Sequence, residues 1–219
     1  MCQPDNRMSV AATDNTNTRE RILDAAESRF IEHGFAATSV GAIATHAGVN
    51  LAATNYHFGS KKGLFSAVFQ RRIEPVNESR LQRLAALQHE AQVGKRQLTI
   101  RSILESFFEP LRHVDPGVPA LIGRMYGEPE SLIRPILEET FHEVATAFHG
   151  ALSQVLPQLP AEEIRWRFHF MIGSMIHLLQ MHAPLGSEST HDAFTSGVPR
   201  LINFVEAGLE QSHNGITHD

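Results

Sequence analysis

Apolar residues three and four positions apart recur along nearly the whole chain. No window offers sustained two-residue alternation bounded by an Asn-Gly or Asp-Gly turn. A chain patterned this way buries its side chains between helices rather than between sheets, so the expected class is all-α. At 219 residues, 42% apolar and 20% charged, it is long enough for a small helical unit joined to a larger one. The single cysteine, Cys2, excludes an internal disulfide and any multi-cysteine zinc module. The first 17 residues are polar and read as no signal peptide. The most apolar run, Phe168 to Met181, is interrupted by His169, Ser174, His177 and Gln180 and is too short to span a bilayer. A cytoplasmic protein without a membrane partner is expected.

Residues 1–16 carry no pattern and read as a flexible tail. A first helix is predicted from about Thr18, capped by Asn17 or Thr18, with Ile22, Leu23, Ala26 and Phe30 on its buried side and Gly34 at its end. A second spans Ser39–His46, with Val40, Ile43, Ala44 and Ala47 as its inner face. After a tight turn at Gly48-Val49, a third runs from Asn50, placed to cap it, to about Tyr56. A long fourth helix, about 60–92, contains Pro75, which should bend it. Further helices are predicted at about 98–113, 119–126, 130–156, 161–183 and 189–211. The last has a stripe of Phe194, Val198, Leu201, Ile202, Val205 and Leu209, with Pro199 implying a kink or a late start.

The net charge of −5 argues at first against a nucleic-acid partner. Residues 1–72, however, carry eight Lys and Arg against six Asp and Glu, whereas residues 73–219 carry eleven against eighteen. The acidity therefore belongs to the second part, and the two parts are expected to meet different partners.

Thr38 to Leu64 (TSVGAIATHAGVNLAATNYHFGSKKGL) describes two short helices joined at Ala47-Gly48-Val49, a helix-turn-helix. Glycine suits the turn because no Cβ obstructs it, and Val49 can plug the angle. In DNA-binding proteins of this form the second helix enters the major groove. The spacing alone is equally that of an αα-hairpin in a bundle.

The residues beyond the turn add a resemblance. Ser39, Ile43, Ala44, Ala47-Gly48-Val49, Tyr56-His57-Phe58, Lys61 and Leu64 follow the pattern of the TetR/AcrR family of bacterial transcriptional regulators. Ala25-Ala26, Phe30, Gly34 and Phe35 match its first helix, so the resemblance covers about residues 18–75. It implies a three-helix DNA-binding domain over 17–64 and a helical effector-binding and dimerisation domain over 65–219. By that analogy the DNA-contacting positions are Thr38, Ser39, Asn50, Leu51, Ala52, Ala53, Asn55, Tyr56, His57 and Lys61. Leu51 and the alanines can offer only apolar contact, for instance to a thymine methyl, and Asn55 can pair with adenine N6 and N7. Asn55 could instead serve as a helix-terminal residue. Tyr56 could pack its ring in the core with its hydroxyl outward, and Thr38 and Ser39 fit either a cap or a phosphate contact. His57 and Lys61 match phosphate-contacting positions. Many relatives carry Arg or another long polar residue where this chain has Gly41, so direct readout is reduced and DNA shape gains weight.

In the body, helix 161–183 is apolar nearly all round after its first turn, and Gly173 and Ser174 permit close approach of another helix. The resemblance implies that the last two long helices form a homodimer presenting two reading heads to a palindromic operator. Phe107, Phe108, Leu111, Ile122, Met125, Phe141, Phe148, Phe168, Met171 and Met175 give a Phe- and Met-rich core. Regulators of this kind house a small-molecule effector in such a core. Arg124, His113, Arg134 and Arg167 could hold an anionic head group, or simply face water. An acyl effector and a planar drug-like one both fit.

Thirteen histidines prompt a check for metal. Glu139-x-x-His142 is half of a di-iron pattern without its second half, and His169 and His177 read as core or interface residues. No phosphate loop, nucleophile elbow or cysteine paired with a base is present, so no catalytic residue, cofactor or metal is expected. The alternative is an all-α enzyme or carrier in which the N-terminal helices are scaffold. Salt-dependent operator binding separates the two.

Overall fold

A computed structural model describes residues 7–114, 117–181 and 191–212. Side chains of residues 7–15, 120, 181 and 191–194 are outside that description, Phe194 among them. The elements are α1 (Arg7–Ala37), α2 (Val40–Ala47), α3 (Leu51–Phe58), α4 (Lys61–Gln92) and α5 (Ile100–Phe108). A short 3-10 segment (Glu109–His113) follows, then α6 (Gly117–Tyr126), α7 (Glu130–Val155), α8 (Ala161–Met181) and α9 (His191–Glu210). Among the described residues there is no strand, as the pattern requires.

Chain contacts divide into two compact units. The first holds the residues up to Arg72 together with Arg124–Ile136, and the second holds Ile73–Gly123 and Leu137 onward. The recruitment of the α6–α7 corner into the first unit was not legible in the sequence. Helix α4 runs through both units, contributing its first turns to one and the rest to the other.

In the first unit, α1 packs against α2 and α3. Ile22, Leu23, Ala26 and Phe30 of α1 meet Ile43, Leu64, Phe65 and Val68 in a core from which water is excluded. Phe30, Phe35 and Phe65 stack edge and face, with centroids 4.9–6.1 Å apart. Helix α1 starts at Arg7, not near Thr18, so a stretch expected to be tail is helical. Asp5 and Asn6, residue types that favour a helix N-cap, directly precede that start in the sequence, and Met8, Ala11 and Ala12 are good helix formers. The helical path breaks at Gly34 (φ 78°, ψ 174°), as its glycine suggests.

In the second unit, α5 and α8 pack against α9. The buried stripes are Ile164, Met171, Met175 and Leu179 on α8, and Val198, Leu201, Ile202, Val205 and Leu209 on α9. Close approach of these two helices is allowed at Gly197, where a Cβ would lie 2.7 Å from Leu178 Cδ1. Gly173 has open space around it within the single chain. Helix α9 continues past Pro199 and α4 past Pro75. The predicted ends at 182–183 and the start at 189–190 lie outside the described residues. No described helix is long and apolar enough to cross a membrane.

Candidate nucleic-acid interface

Helix α2 begins at Ser39, whose Oγ accepts from Ala42 N at 3.1 Å. It ends at Gly48, held in the left-handed region (φ 63°, ψ 38°), which lets Gly48 N reach Thr45 O and Val49 N reach Ala44 O. Arg21 of α1 tightens the turn, donating through Nη2 to Ala47 O at 2.6 Å and Gly48 O at 3.1 Å. Helix α3 begins at Asn50, whose Oδ1 accepts from Ala53 N at 2.7 Å. These caps fix the entry of α3 without using any side chain on its outer face.

That outer face consists of Leu51, Ala52, Asn55 and Tyr56, all exposed, with Tyr56 80% accessible. Thr54 points inward and is buried; Ala53, His57 and Phe58 are half-buried at the margins. The spacing i, i+1, i+4, i+5 gathers the four exposed residues on one side of the helix.

Lys61 opens α4, but its Nζ donates to Ala36 O at 3.3 Å and lies 4.3 Å from the centroid of the Phe35 ring. Its ammonium is thus held toward the protein, while Lys62 beside it is exposed. Thr38 is buried, with its hydroxyl donating to Arg29 O and Gly34 O. A phosphate contact by its side chain is therefore not available in this conformation, and its role is to tie the end of α1 to the start of α2. Ser39 takes the cap role.

The corner from α3 to α4 is tight. Ser60 Oγ accepts from Gly63 N, and a Cβ on Gly63 would sit 2.3 Å from Phe58 O. No side chain larger than hydrogen fits there without moving the end of α3.

Arg71 and Arg72 of α4 grip α1. Arg71 donates to Glu27 at 2.7 Å, Asp24 at 2.8 Å and Glu20 at 3.1 Å, and Arg72 donates to both oxygens of Glu27 at 2.8 Å. Partial burial of Arg71 works against its charged form, but its three carboxylate partners outweigh that and hold its pKa above the ordinary arginine value. At the far end of α1, Glu128 accepts from Phe35 N at 2.7 Å, and Arg124 donates to Ile31 O at 3.0 Å and Glu32 O at 3.2 Å. These two residues anchor the α6–α7 corner to the first unit. Periodicity gave no sign of them, because nothing local marks a partner ninety residues away.

The candidate effector residues separate. Met125 falls in the first unit and the other nine in the second. Phe107 is the centre of a ring cluster with Phe108, Phe148 and Phe168 at 5.0–5.9 Å. Phe108, Leu111, Ile122, Phe148, Met171 and Met175 are buried, while Phe141 and Phe168 are half-buried. The sequence missed Arg80, a fully buried guanidinium in this region. Its Nε donates to Phe107 O at 2.9 Å, its Nη1 to Asn77 Oδ1 at 3.2 Å, and its plane lies 4.0 Å from the Phe107 ring centroid. Of the surface cations considered for a head group, Arg124 holds α1, Arg134 pairs with Glu130, and Arg167 binds Glu163 and the carbonyls of Gly208, Leu209 and Gln211. His169 packs against Trp166 and Phe170 and, like His177, is exposed in the single chain.

Trp166, Phe170 and Phe204 are 53%, 62% and 70% exposed. Between α8 and α9 lies a groove of about 320 Å³ lined by Phe170, Ser174, Phe204 and Gly208, with Arg167 at its edge.

Residues 22–68 match the family described as bacterial regulatory proteins of the tetR family, and residues 101–208 match the tetracyclin repressor-like C-terminal domain. The chain is 39% identical over 79 residues to the HTH-type transcriptional repressor AcnR of Corynebacterium glutamicum, a match covering 34% of this chain and 42% of that protein. It is 30% identical over 108 residues to the HTH-type transcriptional activator FasR of Mycolicibacterium smegmatis, covering 49% and 47% respectively. The matched stretches thus span less than half the length of these curated relatives. Among solved structures, the fatty acid degradation regulator FadR of Bacillus halodurans shares the fold, with a TM-score of 0.55 and 16% identity over 86% of this chain and 98% of that one. GusR of Salmonella enterica does so with a TM-score of 0.57 and 19% identity over 87% and 95%. The two family matches together cover more than half of the chain, the first reaching into the opening turns of α4 and the second starting after α4 ends, and the chain belongs to the TetR family of bacterial regulatory proteins.

Proposed function

We propose that this protein is a sequence-specific DNA-binding transcriptional regulator, acting as a repressor that a small-molecule effector releases from its operator. The observation that carries the reading is the outer face of α3: four exposed side chains on a helix capped from below, on a helix-turn-helix whose turn is locked by Arg21 and Gly48. Leu51, Ala52 and Asn55 meet base edges, with Ala53 beside them. Tyr56, His57 and Ser39 reach the phosphate backbone, toward which Lys61 and the exposed Lys62 make the protein surface locally positive. Asn50 contributes by capping. The relatives' names include a repressor and an activator, and repression needs only occupancy of the operator.

The protein acts as a homodimer through α8 and α9. Three large rings exposed on one pair of helices, with the open backbone of Gly173 beside them, are expensive to leave in water, and a second copy covers them. Two reading heads then address a palindromic site. The effector occupies the second unit near the Phe107 cluster, with an apolar, acyl-like body. Support comes from the phenylalanines and methionines there and from the description of FadR as a regulator of fatty acid degradation. Release follows if the effector favours a dimer whose reading helices are wrongly spaced for successive major grooves, with α4 as the element common to both units.

Binding of the full chain to DNA upstream of its own gene, compared with random DNA across a salt series, tests the reading. A preferred site protected in footprinting is expected, with Asn55→Ala losing about 1–3 kcal/mol at that site. A folded dimer without preference for any DNA at any salt overturns it.

A further inference from the structure

We infer that the half-site read by α3 is composed of A·T pairs, recognised through thymine methyl groups and an adenine edge, with no guanine contact at its centre. This rests on the DNA-binding reading above and narrows its partner to a chemical class.

Base pairs differ in the major groove by what they display. Guanine offers two acceptors that call for Arg or Lys, cytosine offers a donor that calls for Asp or Glu, adenine offers a donor and acceptor that match an amide, and thymine offers a methyl. The stretch Val40–Phe58, which makes up α2, the turn and α3, contains no Arg, Lys, Asp, Glu or Gln. A reading head with none of the five side chains that commonly address guanine or cytosine, or extend an amide's reach, is limited in what it can select.

The structure narrows the ways around this. Of the other polar side chains in α3 and its cap, the Asn50 oxygen accepts from Ala53 N, Thr54 is buried and His57 is half-buried at the margin. Among the neighbouring cations, Arg21 is turned to the end of α2, Arg19 toward Glu20 and Phe58, and Lys61 to Ala36 O and the Phe35 ring, while the exposed Lys62 stands on α4 outside the α3 face. Gly41, on the exposed side of α2, presents no side chain at all. What the face offers is Leu51, half exposed, and Ala52 as alkyl surfaces, then the Asn55 amide and the Tyr56 hydroxyl. Alkyl surface matches the thymine methyl, and the amide matches adenine N6 and N7.

The test is selection of sites from randomised duplex DNA by the full-length protein at one fixed salt concentration, followed by single-atom changes in the selected site. An enriched palindrome with A·T pairs at the positions under α3 is expected. Replacing each of those thymines by deoxyuridine removes only the 5-methyl group and should weaken binding about fourfold per methyl in contact. A Leu51→Ala variant that binds weakly and no longer distinguishes thymine from uracil assigns the methyl contact. Asn55→Ala should lose about five- to 150-fold at one adenine and become indifferent to its replacement by 7-deazaadenine. An enriched site with invariant G·C pairs under α3 overturns this inference but leaves DNA binding standing. So does an A·T core indifferent to uracil, which would mark readout by shape. Failure to enrich any site overturns the DNA-binding reading itself.

Discussion

Glu27 offers the sharpest test of how the first unit is held together. Its side chain is 9% exposed, and its carboxylate takes donors from both Arg71 and Arg72 at 2.6–2.8 Å. Glu27→Gln keeps the shape, removes the charge and turns an amide N–H toward a guanidinium. Breaking a buried pair by removing one partner typically costs about 3–5 kcal/mol. Two features reduce that here. Arg71 keeps Asp24 and Glu20, and the Arg72 side chain is 36% exposed and can gain water. The expected loss is therefore about 2–3 kcal/mol, close to one charge-assisted hydrogen bond left unmade. For a chain of this length that is a fall of about 4–12 °C in melting temperature, if the two units unfold together. Urea denaturation at low ionic strength, read by circular dichroism and by amide exchange in α1 and α4, measures it. Asp24→Asn is the control: that side chain is 74% exposed, so its loss should stay below about 0.5 kcal/mol. If Glu27→Gln lies within the same 0.5 kcal/mol of wild type, the clamp is geometry without energy and the reasoning fails.

Other outcomes follow from the same structure. Arg71 has a raised pKa, so its contribution is complete below the ordinary arginine range and is lost only as pH climbs through it. The stability gap between wild type and Arg71→Met should therefore stay constant from about pH 7 to about pH 10 in urea titrations, and a step inside that window would contradict it. Glu128→Ala orphans Phe35 N and should cost about 1.5 kcal/mol, with faster hydrogen exchange at that amide and unchanged exchange in α9. Gly41→Arg meets no atom within 4 Å of its new Cβ, so the fold should gain up to about 1 kcal/mol from helix propensity while the salt slope of DNA binding steepens by about one. Phe204→Glu should convert a dimer to a monomer in sedimentation velocity without unfolding the chain, since Phe204 is 70% exposed in the single protomer.

Much of the fold was legible because helix ends are chemical events in sequence. Ser39 and Asn50 each accept from a first-turn amide, and Gly34 and Gly48 stop their helices where the sequence places them. The start of α1 was not legible, since the polar stretch 13–17 interrupts the apolar spacing before Thr18 and resembles a tail. The candidate site divides in the same manner. The outer face of α3 follows from helical spacing, whereas the inward turn of Lys61 depends on Ala36 and Phe35, twenty-five residues away. Arg80 reads as one more surface cation on a polar stretch of α4. Only its burial against Phe107 and Met175 reveals otherwise, because one-dimensional pattern carries no record of which neighbours arrive.

The missing side chain at Gly63 has a consequence for genetics. A mutant collected for failure to regulate would ordinarily be mapped to a base or phosphate contact. Gly63→Ala would enter the same collection while touching no DNA, because its methyl group must displace the Phe58 carbonyl and with it the last turn of α3. Compensating operator mutations would rescue an altered base contact at Asn55 but not this allele. Suppressors of the Gly63 lesion would map instead within the protein, to residues that let the α3–α4 corner open.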